Sequence, residues 1–232
     1  MSAALPPVCI LAGGLGTRLG ALVRDTPKPL LEVAGEPFLV HQLRLLASHG
    51  VTDAVLCVGY RGEAIAERIG PRCAGVEIAY RFDDPGLNGT LGAIRGALDL
   101  LGERFLVLYG DTYLRIDYAA AAEAWRASGL PAMMTVLRNE GLWDTSNADF
   151  DGELVTSYDK RNPDPGARWI DYGLGGLESQ AVAANDPTSN DLAGLYADLA
   201  ARRMLFGFEA TERFYEIGTP KALEETDRFL RR

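Results

Sequence analysis

The sequence predicts an α/β protein whose first half is doubly wound around a mainly parallel sheet, and three observations carry that expectation. Apolar, β-branched runs alternate with helix-like segments, the pattern of parallel strands joined by crossover helices. The first run, Val8-Cys9-Ile10, breaks directly into a glycine-rich turn, and open parallel sheets place their ligand loops at such strand ends. At 232 residues the chain suffices for one sizeable α/β unit and is too short for a second large one.

Strands are expected at Val8 to Ala12, Ala54 to Val58, Val76 to Tyr80, Phe105 to Tyr109 and Ala132 to Leu137. Between them, Pro37 to Ser48, Glu63 to Ile69, Leu91 to Leu101 and Tyr118 to Ala127 carry apolar residues at helical spacing. After about residue 139 the alternation loosens into extended pieces at Asn147 to Phe150, Glu153 to Tyr158 and Trp169 to Leu177, with turn formers over Asn162 to Gly166. Met204 to Phe208 and Arg213 to Ile217 read as a pair of strands, followed by a final amphipathic helix from Pro220.

Composition narrows the partners. A formal net charge of −9 disfavours nucleic acid, because that affinity rests on neutralising many phosphates. A small anion needs only local positive charge, which a few cations supply inside an acidic protein. Cys9, Cys57 and Cys73 lack the paired spacing of a zinc site and read as core thiols of a cytoplasmic protein. The start, MSAALPPVCILAGG, has no basic segment and only a short apolar stretch, so neither a signal peptide nor an anchor is expected. No span approaches the roughly 20 apolar residues of a membrane crossing.

Two motifs carry chemistry. Leu11 to Gly20 read LAGGLGTRLG, and TPKP follows at Thr26 to Pro29. A strand that breaks into glycines offers a cradle of backbone N–H groups suited to phosphate oxygens, and Lys28 adds a mobile cation. The spacing excludes two better-known loops: no lysine follows Gly14 or Gly16 in the Walker register, and the third glycine of a dinucleotide turn falls on Leu19. A glycine-rich strand-to-helix turn without a ligand is the plainer alternative. The second motif is Tyr109-Gly110-Asp111-Thr112, where an apolar strand ends in a glycine and an acid; capping of the next turn is the alternative role for Asp111.

LAGGLGTRL and PKPLLEVAGEPFL together resemble the signature of the nucleotidyltransferases that activate sugar 1-phosphates, and the similarity continues to the C-terminus. The fold so implied is a Rossmann-like three-layer α/β/α sandwich with a mixed, mainly parallel central sheet and a small acceptor-binding β extension. Some relatives add a C-terminal β-helix marked by a hexapeptide repeat, and no such repeat is present. One domain, 1–232, is therefore expected, its 1–138 half mainly nucleotide-binding and its 139–232 half folding over it to take the acceptor.

The resemblance also implies roles. Leu11, Ala12, Gly13, Gly14, Gly16 and Thr17 would wrap the nucleoside triphosphate, with Arg18 on the leaving pyrophosphate and Lys28 beside the reacting phosphates. Asp111 would ligate magnesium. A second ligand is expected where relatives have Asp-x-Gly-Thr-Pro; here the string is Glu216-Ile217-Gly218-Thr219-Pro220, and a glutamate reaches about one carbon further. Leu87 to Ile94 resembles the base-recognition loop, with Asn88 offering donor and acceptor, Gly89 permitting close approach, and Thr90 either touching the base or capping a helix. Lys160 would grip the acceptor phosphate. Asp171 and Gly173 occupy a sugar-contacting slot, though an ionised acid only accepts hydrogen bonds. Trp143 and Asn147 depart from the usual string and are candidates for the acceptor pocket, with a core position as the alternative for Trp143. His41 and His49 have no partner for a triad.

The expected reaction is magnesium-dependent transfer of a nucleoside monophosphate to a sugar 1-phosphate, releasing pyrophosphate. Within the family the resemblance points first to GTP with heptose or mannose 1-phosphate, and second to uridylylation of an amino-sugar 1-phosphate. Cytidylyl or other nucleotidyl transfer to a non-sugar phosphate and a catalytically silent nucleotide-binding subunit are the remaining alternatives. A homodimer is compatible with the sequence.

Overall fold

The structure, a computed structural model, describes residues 4–83 and 89–232. β1 (Val8–Leu11) runs into the glycine-rich loop, which ends in a 3₁₀ segment over Thr17–Val23 bent at Gly20. A second 3₁₀ turn, Lys28–Leu30, lies between the prolines: Pro27 is held extended and Pro29 sits in the turn's first residues, where a missing N–H costs nothing. The hairpin of β2 (Glu32–Val33) and β3 (Glu36–Pro37) delivers α1 (Phe38–Ser48). There follow β4 (Asp53–Val58), α2 (Gly62–Ile69), β5 (Arg72–Cys73) and β6 (Val76–Phe82).

After the undescribed residues come α3 (Gly89–Gly96), α4 (Leu98–Leu101) and β7 (Arg104–Tyr109). β8 (Thr112–Tyr113), α5 (Tyr118–Ser128) and β9 (Ala132–Arg138) complete the first half. The Asp117 carboxylate caps α5 by accepting from Ala120 N–H, and Gly129 closes it in the left-handed region. The second half supplies β10 (Ala148–Phe150), β11 (Val155–Tyr158), β12 (Trp169–Glu178), α6 (Ser179–Ala183) and α7 (Leu192–Ala201). It ends with β13 (Leu205–Ala210), β14 (Tyr215–Glu216) and α8 (Pro220–Leu230), the last capped by the Thr219 hydroxyl.

One sheet organises the molecule, in the order β11-β10-β12-β7-β1-β4-β6-β5, with β9 on the free edge of β12 and β13 outside β9. β7, β1, β4 and β6 are mutually parallel, β12 is antiparallel to β7 and β9, and β13 is parallel to β9. The period-2 alternation of the strands divides the core in two. Val8, Ile10, Leu56 and Leu108 face one side, covered by α1, α2 and α5; Cys9, Val55, Cys57 and Val107 face the other, covered by α3, α4, α6 and α7. This is the three-layer sandwich that the family resemblance implies, and its parallel core is the one the alternating runs predict. No described helix is long and apolar enough to cross a membrane.

Several details differ from the sequence expectation, the short strands β2, β3, β5 and β8 among them. Leu91 to Leu101 is two helices, divided by a turn at Ala97 (φ −103°, ψ 0°), whose side chain is fully buried. Residues 204–208 and 213–217 do not pair with each other: β13 joins β9 and β14 joins β8. β13 is apolar on both faces, Leu205 in one core and Phe206 and Phe208 against the other, so it belongs inside a covered sheet. The second half does more than fold over the first, since β12 hydrogen-bonds to β7 within the main sheet. Helices α6 and α7 are additional, and α7 buries Leu192, Leu195, Tyr196 and Leu199 on one stripe.

Gly176 lies in β12 beneath the fully buried Trp125, and a Cβ there would stand 2.7 Å from the indole. Gly176→Ala should therefore destabilise the fold by about 1–3 kcal/mol, read as a lower urea midpoint. An unchanged midpoint would show that β12 can move away from α5.

Candidate active site

The chain runs outward from β1 to β4 and β6 and then returns to β7 on the other side of β1, so the strand order reverses between β1 and β7. Open α/β sheets form a ligand crevice at the carboxyl ends flanking such a reversal. Leu11 and Tyr109 lie opposite each other at those ends, which puts both sequence motifs on one rim. Gly110 keeps the rim narrow: its N–H donates to Leu11 O at 2.9 Å, and a Cβ would approach that oxygen to 2.9 Å and Ala12 Cα to 3.1 Å. Among the described residues, none accepts from the N–H groups of Gly13, Gly14, Leu15 or Gly16. These are donors available to an anion.

Gly16, at φ 64°, packs against the Lys28 side chain, which links the glycine loop to the proline-flanked turn. Lys28 is 9% exposed, and its Nζ lies 2.5 Å from Asp111 Oδ2. The turn carrying Asp111 is pinned from below by Gln42 of α1, whose buried amide donates to the carbonyls of Tyr109 (2.9 Å) and Thr112 (2.5 Å). The sequence gives no sign of this: an amide on an apolar helix stripe reveals its partners only once the sheet is assembled.

A short ribbon brings the C-terminal acid to the same place. β14 pairs with β8 so that Glu216 faces Thr112, and Ile217 N–H donates to Asp111 O at 3.0 Å. Gly218 N–H donates to Glu216 Oε2 at 3.1 Å, and a Cβ on Gly218 would lie 3.1 Å from Arg18 Nη2. Burial raises the Glu216 carboxyl above the usual carboxylate range, and the neighbouring Asp111 charge adds to the rise. Two carboxylates that repel each other beside Arg18 and Lys28 suit a site for a divalent cation between anionic groups. Among the described residues no cluster of three or more His, Cys, Asp or Glu converges, so any such ion would take further oxygens from water or ligand.

Two cavities meet at this point. One of about 380 Å³ is bounded by the glycine loop, Lys28, Gly89 and Thr90; the other, about 590 Å³, is bounded by Trp143, Asn147, Lys160, Asp171, Gly173 and Glu216. Arg18, Tyr109 and Asp111 line both. Every described candidate from the sequence reading borders one cavity or the other, and Asn88 lies outside the described residues.

Individual roles are sharper than the motifs suggest. The Thr90 hydroxyl accepts from Leu192 N–H and so caps α7, a helix far along the chain. Gly89, at φ 82°, is required because a Cβ would collide with the carbonyl of Asn190. Asp83 lies between Gly13 and Gly59 on the first cavity, and burial pushes its carboxyl above the usual range.

In the second cavity, Asp171 is tied down by its own neighbours. It accepts from Gly173 N–H at 3.0 Å and from the Tyr158 hydroxyl at 3.2 Å, while its N–H donates to Asn147 Oδ1 at 2.9 Å. Together with Gly173 (φ 106°) these bonds shape the irregularity in β12 between Asp171 and Gly175. Burial raises the Asp171 carboxyl. Lys160 lies over the Tyr109 ring at 5.3 Å. Trp143 is partly exposed against the second cavity. Arg213, which the sequence reading did not single out, stacks on the indole of Trp143 at 4.4 Å.

Comparison with known proteins agrees with this geometry. Residues 8–141 match the family model described as nucleotidyl transferase. The chain is 34% identical over 231 residues to an N-acetylmuramate alpha-1-phosphate uridylyltransferase of Neisseria meningitidis serogroup B, covering 93% of this chain and 94% of the relative. It is 32% identical over 152 residues to a D-glycero-alpha-D-manno-heptose 1-phosphate guanylyltransferase of Campylobacter jejuni, covering 66% and 67% of the two chains. Among solved structures, the inositol-1-phosphate CTP transferase from T. maritima superposes with a TM-score of 0.76 at 19% identity, over 98% of both chains, a likeness of fold alone. With the family model spanning more than half its length and a relative aligned almost end to end, the chain belongs to the nucleotidyl transferase family, alongside uridylyl- and guanylyltransferases of sugar 1-phosphates.

Proposed function

We propose that this protein transfers a nucleoside monophosphate from a nucleoside triphosphate to a sugar 1-phosphate, with magnesium, in the cytoplasm. The observation that carries the reading is the meeting of two cavities at Arg18, Tyr109 and Asp111: one has loop N–H donors for a triphosphate, the other has a lysine for a second phosphate. Of the two expected pairings, UTP with an amino-sugar 1-phosphate is better supported than GTP with heptose or mannose 1-phosphate. The uridylyltransferase relative aligns through both halves, including the strands around the acceptor cavity, whereas the heptose enzyme aligns over about two thirds.

In this reading an oxygen of the sugar phosphate attacks the α-phosphorus, the bond to the β-phosphate oxygen breaks, and its electron pair leaves with pyrophosphate. Mutual repulsion of the two anions is the obstacle, so positioning and positive charge do the catalytic work. The N–H groups of the glycine loop receive the triphosphate, and Arg18 balances charge on the departing pyrophosphate. Lys28, fixed by Asp111 and enclosed by Gly16, stands where the two phosphates meet. Lys160 holds the acceptor phosphate on the other side of Tyr109. Asp111 and Glu216 are the residues that would hold magnesium, which would supply further positive charge to the phosphates.

Three outcomes test this. Lys28→Met should lower kcat by about 100- to 1,000-fold in a pyrophosphate-release assay, with circular dichroism unchanged; wild-type turnover in the variant would remove Lys28 from the chemistry. Chelation should abolish turnover, and Glu216→Gln should raise the magnesium concentration for half-maximal activity about 10-fold; an unaltered magnesium titration would leave Asp111 as the sole protein ligand. Across the four triphosphates UTP should give the highest kcat/KM. A higher value for GTP would restore the guanylyl alternative, and no pyrophosphate release with any triphosphate over a broad panel of sugar 1-phosphates would overturn the reaction itself.

A further inference from the structure

Residues 140–146, between β9 and β10, pass the second cavity with little support from the rest of the backbone. The chain enters them where Asn139 N–H donates to Arg168 O and leaves them where Asn147 N–H donates to Trp169 O, both at 2.8 Å. Among the described residues, no backbone group from 140 to 146 bonds to another backbone group. Residues 140–145 are all exposed, so burial in the core does not hold them either. Yet Leu142, Trp143 and Asp144 all border the cavity.

One buried amide takes the place of the missing bonds. Asn139 is 7% exposed. Its Nδ2 donates to Asp144 O at 2.5 Å and to Ser146 Oγ at 3.1 Å, and its Oδ1 accepts from Trp143 N–H at 3.2 Å. A side-chain amide carries donors and an acceptor on neighbouring atoms, so it can gather a carbonyl, a hydroxyl and an N–H of one loop around a single point. The same bonds satisfy the amide, which would otherwise be costly to bury. With its backbone fixed in this way, Trp143 sets its indole beside Phe214, at 6.3 Å between ring centroids, and against the guanidinium of Arg213. Asn139 itself borders neither cavity.

We propose that Asn139 is a positioning residue for the acceptor: by holding residues 142–144 in one arrangement, it gives the acceptor a wall that is formed before binding. This rests on the reading of the second cavity as the acceptor site. A loop that the ligand had to order would subtract that ordering from affinity, and a loop ordered by its own amide does not. The three bonds of Asn139 all reach into the acceptor-side loop, so the cavity around the glycine loop is indifferent to them.

The test labels the protein with fluorotryptophan and follows it by fluorine NMR. The chain has three tryptophans, and Trp143→Phe identifies the Trp143 line. In the wild type without ligand that line should be single and displaced from free fluorotryptophan. In Asn139→Ala it should move toward the free position, while the line of the fully buried Trp125 stays in place. In parallel, KM for whichever sugar 1-phosphate the wild type turns over fastest should rise about 10-fold, with kcat and KM for the triphosphate changed by less than about 2-fold. Ser146→Ala, which removes one of the three bonds and keeps the amide, should raise the acceptor KM by about 2- to 5-fold, and it carries the test should Asn139→Ala fail to fold. A Trp143 line at the free position in the wild type, an unmoved Trp143 line in Asn139→Ala, a shift of the Trp125 line along with it, or equal rises in the two KM values in either variant would each overturn the role of Asn139 while leaving nucleotidyl transfer standing. Transfer to no sugar 1-phosphate at all would overturn both.

Discussion

A lysine and an aspartate 83 positions apart in the chain meet across the crevice between β1 and β7, and much of the surrounding structure serves to hold them there. Placing a lysine in a largely enclosed site is costly unless its charge is matched. Asp111 provides the match, the prolines around Lys28 fix the backbone that presents it, and the Gln42 amide fixes the turn that presents Asp111. Glu216 enters the same field from the C-terminal ribbon, so two cations and two carboxylates balance at one point. Such a point can receive more anionic charge without assembling new groups.

The second half of the chain builds a differently shaped space from the same sheet. β12 continues the sheet beyond β7 and then departs from regular pairing at Asp171 to Gly175. The departure is stabilised internally, by the Asp171 carboxylate and the Asn147 amide, so these two residues form the cavity wall through their own hydrogen bonds. Their polar character in the sequence reads as ligand recognition, and their bonding shows a supporting function. The groups left facing the cavity, Lys160, Trp143 and Arg213, lie on connections around it.

Much of the fold was legible because it is local. The parallel strands and their crossover helices announce themselves through short apolar runs and helical spacing, and their observed limits fall close to the expected ones. The order of pairing in the second half was not legible, because β13 and β14 choose partners by which surfaces remain uncovered, a property of the assembled sheet. The site divides in the same way. The glycine loop, Lys28 and Asp111 stand out because their backbone demands are written in glycines and prolines. Gln42 and Arg213 do not, since each is defined by contacts with carbonyls or rings far away in the sequence. Thr90 illustrates the intermediate case: a capping hydroxyl was a fair expectation, and the helix it caps, α7, begins about a hundred residues later.

The pairing of β8 with β14 has a consequence for synthesis. The two strands that flank the crevice, β1 and β7, both lie within the first 109 residues. The second carboxylate is delivered only when residue 216 has been translated and threaded alongside Thr112. The strands of the anion-binding rim thus precede the second carboxylate by about a hundred residues of chain, and a truncation between them would carry the rim's sequence without the acid pair.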